Sequence, residues 1–300
     1  MPQEHAISVM IGRGAPPVLF HYTSMEALLS IVESGRIRAT HIRYLNDWSE
    51  AEIIWKLVLR RLAERKDASK SAEERRHLEE IIVLGNNRRI ASEFVTSFSE
   101  DGDDLSQWRA YSPSQAGFSI GFSSDALRTQ WVIPPGTGDP SFVGGQLLPV
   151  SYLSKTNVAE IDRVIDDAFD VGGLLHGQSG FHGPISGKDA ILAWFSTIAP
   201  GYKDVAFAAE KEWRMVLSKP HKPMPGQRFR AGKSTIVPYI EVELNRGIDS
   251  KPVDAYMIRE VVVGPTPNPD LSVESLKSLF SSKGRVEVLF KKSAIPYRHW

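Results

Sequence analysis

The sequence contains no cysteine, which excludes disulfide bonds, thiolate metal sites and a cysteine nucleophile. This absence is typical of proteins from a reducing compartment. No apolar run approaches the roughly 20 residues that a helix needs to cross a bilayer, and residues 1–13 lack the apolar core of a signal peptide. These absences predict a cytoplasmic protein without a membrane partner.

An excess of charge of one sign is also missing, because 36 lysines and arginines balance 36 aspartates and glutamates. No overall field therefore favours nucleic acid or an anionic membrane, although a local charged patch remains open. With 300 residues, of which 42% are hydrophobic, the chain can bury a large core. Since no internal repeat or heptad pattern is present, we expect a single α+β domain over residues 1–300.

Helix starts are marked by a hydroxyl or acidic residue three positions before a glutamate. Three such pairs occur: Thr23 with Glu26, Asp47 with Glu50, and Ser71 with Glu74. Gly35 is expected to end the first helix. The other two pairs predict a charged helical insertion over about residues 47–92, whose charged face is either solvated or a binding surface.

Strands are predicted where apolar and polar residues alternate, or where short apolar runs occur. The predicted strands span residues 17–20, 37–40, 94–99, 117–122, 236–244, 259–265 and 286–290. A helix over residues 273–282 makes the last two strands a β-α-β unit, with a right-handed crossover if they are parallel. Residues 134–187 are expected to form a loop-rich insertion. Its His176 and His182 do not have the spacing of a metal site, so we predict no metal.

The stretch Glu210-Lys211-Glu212-Trp213-Arg214 carries the most chemical information in the chain. In an extended backbone, Glu210 and Glu212 face the same side about 7 Å apart, close enough to influence each other's ionisation. Arg214 shares that side, and the opposite side is apolar enough to pack. Paired carboxylates of this kind stabilise a developing sugar cation, or they form an ordinary solvated face.

Short motifs follow one another along the chain in an order that is more specific than any one of them. They are Phe20-His21-Tyr22-Thr23-Ser24, Tyr44-Leu45-Asn46-Asp47 with Glu50, Ser97-Phe98-Ser99, Trp108 with Tyr111, Glu210-Lys211-Glu212-Trp213-Arg214, Val263-Gly264-Pro265 and Ile295-Pro296-Tyr297-Arg298. Over roughly residues 18 to 298, this order resembles the uncharacterised bacterial proteins catalogued as domain of unknown function 2971. That family implies no reaction.

A more remote resemblance implies a reaction. The order of a strand-end histidine, a serine-containing strand and a Glu-x-Glu strand is similar to that of ADP-ribosyltransferases. The resemblance implies a mixed β-sheet core of split sheets with an α-helical insertion. It also implies an enzyme that uses NAD as substrate, cleaves the nicotinamide N-glycosidic bond and transfers ADP-ribose to an unknown acceptor. A protein, a nucleic acid or water would serve as that acceptor, and a bacterial stress or phage-defence toxin would fit this class of enzyme.

The same resemblance implies roles for the charged residues. Glu212 is the first catalytic candidate, because an ionised carboxylate near the ribose stabilises its developing cation. Glu210 would orient or deprotonate the acceptor, and Arg214 would tune both carboxylates. His21 would hydrogen-bond the adenosine ribose, and the alternative for its imidazole is a hydrogen bond to nearby backbone.

Polar and aromatic residues complete the expected NAD site. Ser97 and Ser99 face the same side of one strand, where they would meet ribose or nicotinamide, or would be the polar positions of an amphipathic strand. Four aromatic residues are candidates for stacking on the rings of NAD: Tyr22, Tyr44, Trp108 and Tyr111. Arg109 is a secondary candidate for a phosphate contact. Core packing for the aromatic rings and solvent exposure for Arg109 are the alternatives.

Two other classes of function remain open from the sequence. The protein is a non-catalytic ligand-binding or interaction module, or it is another carboxylate enzyme such as a glycosidase or nuclease. The glutamate pair is the only support for the latter, and a nuclease would need a set of metal ligands that the sequence lacks.

Overall fold

The structure is a computed structural model. It describes residues 14–45, 48–87, 93–111, 116–127, 131–132, 141–142, 145–153, 159, 161–163, 165–166, 199–217, 226–232, 234–244, 257–285 and 287–297. The chain folds as an α+β protein, as the sequence predicts, and its sheet is mostly antiparallel. His176 and His182 of the expected loop lie outside the described residues.

The described residues form both helices and strands. The helices are α1 (Met25–Ser34), α2 (Trp48–Ala68), α3 (Ala72–Asn87), α4 (Leu105–Tyr111), α5 (Ser124–Leu127) and α6 (Pro269–Ser282). The strands are β1 (Val18–Ser24), β2 (Arg36–His41), β3 (Phe94–Ser99), β4 (Gly117–Ser123), β5 (Trp131–Val132), β6 (Ser141–Phe142), β7 (Gly145–Pro149), β8 (Ser151–Leu153), β9 (Tyr202–Asp204), β10 (Glu212–Leu217), β11 (Arg228–Ala231), β12 (Ile236–Glu243), β13 (Ile258–Val263) and β14 (Leu289–Lys292). Short 3-10 turns span Ile42–Tyr44, Ala199–Gly201 and Val205–Glu210.

One 12-stranded sheet organises the fold. Its main order is β14-β13-β4-β1-β3-β2-β12-β5-β6, while β10 pairs with β3 and β7, and β11 pairs with β12. The pair β13–β14 is parallel and is joined through α6, which confirms the predicted β-α-β unit. Its last strand begins at Leu289 rather than at residue 286. Strands β8 and β9 form a separate parallel pair.

Strand β3 lies at a division in the sheet. One edge of β3 pairs with β10 along its whole length. The other edge meets β1 only at Ser99, opposite Phe20, and meets β2 only at Phe94 and Val95. A gap therefore opens between β1 and β2, and we call it the notch. Side chains cross it, since Thr96 Oγ1 donates to the carbonyl of Arg38 at 3.2 Å.

Apolar side chains cover both faces of this sheet. The larger core contains Leu19, Phe98, Trp213 and Met215, and it extends to residues of α1 and α6. A smaller cluster on the other face includes Val216, which packs with residues of β3 and β7. Because side chains alternate along a strand, β10 supplies alternate residues to both clusters, and it is buried along its whole length.

The helix boundaries depend on individual caps. Ser24 caps α1, since its Oγ accepts from the Ala27 amide at 3.3 Å, so the prediction that Thr23 is the cap was wrong. The pairing of β1 with β4 continues to Ser24, and the helix therefore begins one residue later. Gly35 ends α1 in the left-handed conformation, φ 65°, as expected. Ser71 Oγ accepts from the Glu74 amide at 3.2 Å, which confirms the predicted start of α3.

Four short strands lie among the described residues between 131 and 153. Strand β7 pairs with β10, and β8 pairs with β9. The short strands β5 and β6 pair with each other at the edge of the sheet. The glycines and prolines around these strands conceal them, because each apolar run is only two or three residues long.

Candidate functional site

The two glutamates of the central motif do not lie on one strand. Strand β10 begins at Glu212, whereas Glu210 ends the 3-10 turn Val205–Glu210. Lys211 joins them in the left-handed conformation, φ 45°, which is uncommon for a residue with a side chain. The prediction that both glutamates lie on one extended strand was therefore wrong, although their carboxylates still lie close together.

A buried lysine brings them together. Lys203 Nζ lies 2.6 Å from Glu210 Oε2 and 3.2 Å from Glu212 Oε2. Arg214 holds Glu212 from the other side, with Nε 2.8 Å from Oε1 and Nη2 3.1 Å from Oε2. The third nitrogen of this guanidinium donates to the carbonyl of Pro200 at 2.9 Å. We call Lys203, Glu210, Glu212 and Arg214 the carboxylate cluster.

The carboxylate cluster is charge-balanced and mostly buried. Glu212 is 7% exposed and Arg214 2% exposed, whereas the side chain of Glu210 is 26% exposed. Burial raises the pKa of Glu212, but the charges of Arg214 and Lys203 outweigh it and hold this pKa below the ordinary value. Glu212 is therefore ionised at neutral pH, and Glu210 is the member that reaches solvent.

Neutral hydroxyls surround the carboxylate cluster. Ser97 donates to the Glu212 carboxylate, and Ser99 Oγ donates to the carbonyl of Glu210 at 2.8 Å. The Glu212 amide donates to Tyr152 Oη at 2.7 Å. Burial raises the pKa of Tyr152 to about 12, so this phenol keeps its proton. The structure thus places both predicted serines beside both predicted glutamates.

His21 lies on the other face of the sheet. Phe20 and Glu212 both pair with Ser99, so these three side chains share one face and His21 points to the opposite one. Its ring packs against Phe98, with centroids 5.8 Å apart. Nδ1 donates to the carbonyl of Ser97 at 3.0 Å. Burial lowers the pKa of His21, which leaves a neutral ring with Nε2 as an acceptor.

A cavity of about 80 Å³ lies in the notch beside His21. It is bounded by α1, β1, β2 and β12. Its lining comprises His21, Thr23, Ala27, Ser30, Ile31, Ser34, Arg36, Ile37, Arg38 and Glu241. The lining combines apolar and polar side chains and includes no member of the carboxylate cluster.

Two of the predicted aromatic residues form a packed pair. The rings of Tyr22 and Trp108 meet edge to face with centroids 4.7 Å apart. Tyr22 Oη donates to the carbonyl of Asp101 at 2.8 Å, and Trp108 Nε1 donates to Asp103 Oδ1 at 2.8 Å. Trp108 is fully buried. This packing matches the core alternative considered for both residues.

The remaining predicted residues lie at other positions on the surface. Tyr44 is exposed on the 3-10 turn after β2 and packs edge to face against His41. Tyr111 is exposed at the end of α4. Arg109 lies over the ring of Tyr297, 5.4 Å from its centroid. None of these contacts joins them to the carboxylate cluster.

Sequence reasoning missed Lys203, Tyr152 and the carbonyl of Pro200. Nothing in the local sequence distinguishes Lys203 from a surface lysine, because its partners come from a different strand and from the end of a turn. Only the tertiary arrangement identifies these three groups. In the part of the chain that the structure describes, no group of three or more histidines, aspartates or glutamates has an arrangement that would hold a metal ion. Among the described helices, none combines the length and apolar character needed for a membrane crossing.

Part of the chain matches a known protein family. A family described as "Protein of unknown function (DUF2971)" matches residues 107–215, a little over a third of the chain. The matched segment begins in α4 and ends in β10, so it contains Glu210, Glu212 and Arg214. No curated protein matches the chain, and no solved structure matches it.

Proposed function

We propose that the protein is an NAD-using enzyme that resembles ADP-ribosyltransferases, with the carboxylate cluster as its catalytic centre. It cleaves the bond between C1′ of the ribose and the nicotinamide nitrogen, and nicotinamide leaves with the bonding electrons. A nucleophilic atom of the acceptor then forms the new bond to C1′ and releases its proton. The α+β fold and the gap between β1 and β2 are the features of the architecture that favour this class of enzyme.

The observation that carries the proposal is the ionised state of Glu212. Arg214 and Lys203 lower its pKa, so the carboxylate is charged before any substrate arrives. A fixed negative charge is what a developing ribosyl cation needs. Arg214 holds both carboxylate oxygens from within the same strand, and this bidentate contact restricts the orientation of the charge.

Glu210 is suited to the second role, which is contact with the acceptor. It is more exposed than Glu212, and Lys203 connects the two carboxylates. In the proposed reaction Glu210 accepts the proton that the attacking group releases. Lys203 then stays paired with Glu212, so the centre never holds two adjacent uncompensated carboxylates.

In the proposed reaction, His21 does not contact the ribose that lies beside Glu212. Its ring points to the opposite face, and its Nδ1 is engaged by the carbonyl of Ser97. A hydrogen bond to a ligand requires heavy atoms about 3 Å apart, so a ribose in contact with Glu212 does not meet His21. Ser97 and Ser99 remain the neighbouring hydroxyls for the ribose.

The test is incubation of the purified protein with NAD, followed by chromatography for released nicotinamide and by detection of labelled acceptor in a cell extract. We expect turnover by the native protein. Glu212→Gln should lower it by about 10²–10³-fold, since it removes the charge that opposes the developing cation. Glu210→Gln should slow transfer to an acceptor more than it slows release of nicotinamide.

A matched control is Glu274→Gln on the exposed surface of α6, which should leave turnover unchanged. Circular dichroism must show that each variant is folded, because Glu212 is paired with buried cations. Equal turnover by native protein and Glu212→Gln would contradict the role of Glu212.

A second function is supported by a different observation. Both oxygens of Glu212 are held by cations, and its side chain is 7% exposed. A non-catalytic binding or interaction module would use the same cluster only to position β10 beside the 3-10 turn. In that case no NAD is consumed with any extract, and Glu212→Gln changes stability alone.

A further inference from the structure

Ser97 lies in the middle of the stretch of β3 whose notch side pairs with no strand among the described residues. On that side Ser99 pairs with Phe20 of β1, and Phe94 and Val95 pair with β2. Ser97 is two positions from Ser99 and two from Val95, so it faces the gap itself. A backbone carbonyl inside a fold needs a hydrogen-bond partner, and no described strand supplies one to Ser97 from the notch side.

The side chain of His21 supplies this partner. Its Nδ1 lies 3.0 Å from the carbonyl oxygen of Ser97, and because a carbonyl oxygen only accepts, Nδ1 carries the proton. Burial lowers the pKa of His21, so the ring is neutral at pH 7. The ring of Phe98 packs against the imidazole and restricts its orientation. A side chain therefore takes the place of main-chain pairing between β1 and β3.

Ser97 connects this contact to the carboxylate cluster. Its carbonyl is held by His21 from one face of the sheet, whereas its hydroxyl donates to the Glu212 carboxylate on the other face. Arg214 lies directly opposite Ser97 on β10, so the serine stands beside both members of the pair formed by Glu212 and Arg214. A tilt of the Ser97 peptide would turn the hydroxyl away from Glu212, and hydrogen bonds weaken steeply as their angle closes.

A second side chain crosses the notch without reaching Glu212. Thr96 is buried, and its Oγ1 donates to the carbonyl of Arg38 on β2 at 3.2 Å. Because neighbouring residues of a strand point to opposite faces, the side chain of Thr96 faces away from the carboxylate cluster. Both contacts hold β3 at the notch, but of the two it is the His21 contact that acts on the residue donating to Glu212.

We propose that His21 is a positioning residue, which fixes the Ser97 peptide across the notch and thereby directs the Ser97 hydroxyl to Glu212. His21 itself touches neither the substrate nor the carboxylates. Its effect on turnover rests on the NAD chemistry proposed above. The geometric link from His21 through Ser97 to Glu212 does not, so the two proposals can fail separately.

Two substitutions of His21 that place a donor at different positions test the link. The amide nitrogen of asparagine stands where Nδ1 of histidine stands, and that of glutamine stands where Nε2 stands. His21→Asn should therefore keep the hydrogen bond to the Ser97 carbonyl, and His21→Gln should lose it. In the NAD assay, we expect His21→Asn to stay within about twofold of native turnover and His21→Gln to fall by about tenfold, the equivalent of one hydrogen bond.

The titration of Glu212 gives a readout that needs no turnover. In protein with ¹³C-labelled glutamate, the carboxylate signal that is absent from Glu212→Gln follows this ionisation as pH is lowered. A hydrogen bond donated to the charged form lowers a pKa, so Ser97→Ala should raise the pKa of Glu212. His21→Gln should raise this pKa too, and His21→Asn should not. In the Ser97→Ala background, His21→Gln should add nothing, because the hydroxyl through which it acts is gone.

Thr96→Val is the matched control, because it removes the other contact across the notch. It should lower the melting temperature, measured by circular dichroism, and leave both the Glu212 titration and turnover unchanged. Equal Glu212 titrations in His21→Asn and His21→Gln would overturn the proposal, and so would a further effect of His21→Gln without the Ser97 hydroxyl. If the native protein consumes no NAD while Glu212 titrates as expected, the NAD reaction is wrong and the positioning role stands.

Discussion

At the scale of single residues, Glu212 depends strongly on its charged partners. It is buried between Arg214 and Lys203, and both contacts favour its charged form. Removing one member of a buried ion pair typically costs about 3–5 kcal/mol, because the remaining charge is left uncompensated. The same contacts that would serve catalysis therefore also stabilise the fold.

This coupling predicts how stability depends on pH. The pKa of Glu212 is lower in the folded protein than its ordinary value of 4.5, so its stabilisation is complete above that pH and is lost as pH falls through the folded pKa. Glu212→Gln should be destabilised by about 3–5 kcal/mol at pH 7. The gap to the native protein should narrow below about pH 4.5. Urea denaturation at pH 7 and pH 4 measures both free energies of unfolding.

The difference in unfolding free energy between Glu212→Gln and the native protein excludes the contributions of other titrating groups, because these are the same in both proteins. His21 has a lowered pKa, so it reduces stability as pH falls below its ordinary value of 6.5, but it does so equally in both proteins. Glu274→Gln should follow the native curve within about 0.5 kcal/mol. A gap for Glu212→Gln that is equally large at both pH values would contradict the role of its charge.

At the scale of elements, one aspartate joins α4 to the segment that follows β14. Asp103 Oδ1 accepts from Trp108 Nε1 at 2.8 Å and from Ser293 Oγ at 2.5 Å. Its Oδ2 accepts from the amide of Ala294 at 2.8 Å. The end of the described chain is thus held by a carboxylate almost two hundred positions earlier in the sequence.

Asp103→Ala should release this segment. The buried indole N–H of Trp108 would lose its partner, which costs about 1–3 kcal/mol. Amide hydrogen exchange at Ala294 and Ile295 should become faster, and the melting temperature should fall. Asp67→Ala, an exposed position near the end of α2, should change neither. Unaltered exchange at Ala294 would show that the segment is held by other contacts.

At the scale of the whole molecule, a single core reaches across most of the chain. The larger apolar cluster extends from Leu19 to Val288. Helices α2 and α3 pack against each other, and Trp55 Nε1 donates a hydrogen bond to the carbonyl of Gly85 at 3.2 Å. Helix α2 also packs against β9, and Arg61 pairs with Asp162 at 2.7 Å. These contacts tie the helical pair to the separate β8–β9 pair and to Asp162.

The prediction of a single domain can be tested on this basis. With 5-fluorotryptophan incorporated, ¹⁹F resonances of Trp55 in α2 and Trp213 in β10 report on the helical pair and the core separately. We expect both to lose their native signals at the same urea concentration, because cooperative domains unfold in one transition. Earlier loss of the Trp55 signal would show that residues of α2 and α3 form an independent unit.

Features that depend on neighbouring residues were predicted correctly from the sequence, whereas features that depend on contacts between distant segments were not. Strand β3 has the predicted bounds, since its alternating pattern is a local property. Gly35 ends α1 as expected, because a left-handed cap is also local. The start of α1 was displaced by one residue, because the pairing of β1 with β4 decides which of two adjacent hydroxyls becomes the cap.

The candidate site shows the same difference between what neighbouring residues reveal and what only tertiary contacts reveal. The amino-acid types in the 210–214 stretch identify two carboxylates and a guanidinium as the groups to examine. The sequence does not show that Lys211 turns the chain between them, or that Lys203 joins them. The placement of His21 on the opposite face also depends on the pairing of three strands.

By itself, the sequence determined the α+β class, the positions of several strands and the C-terminal β-α-β unit, because periodicity and residue chemistry act over a few neighbouring positions. Only the tertiary structure decided which charges meet. The carboxylate cluster gathers residues of two strands and a 3-10 turn, and Ser97, Ser99 and Tyr152 reach it from distant positions in the sequence. Strand register and burial determine such contacts, and neither is encoded in any single segment of the chain.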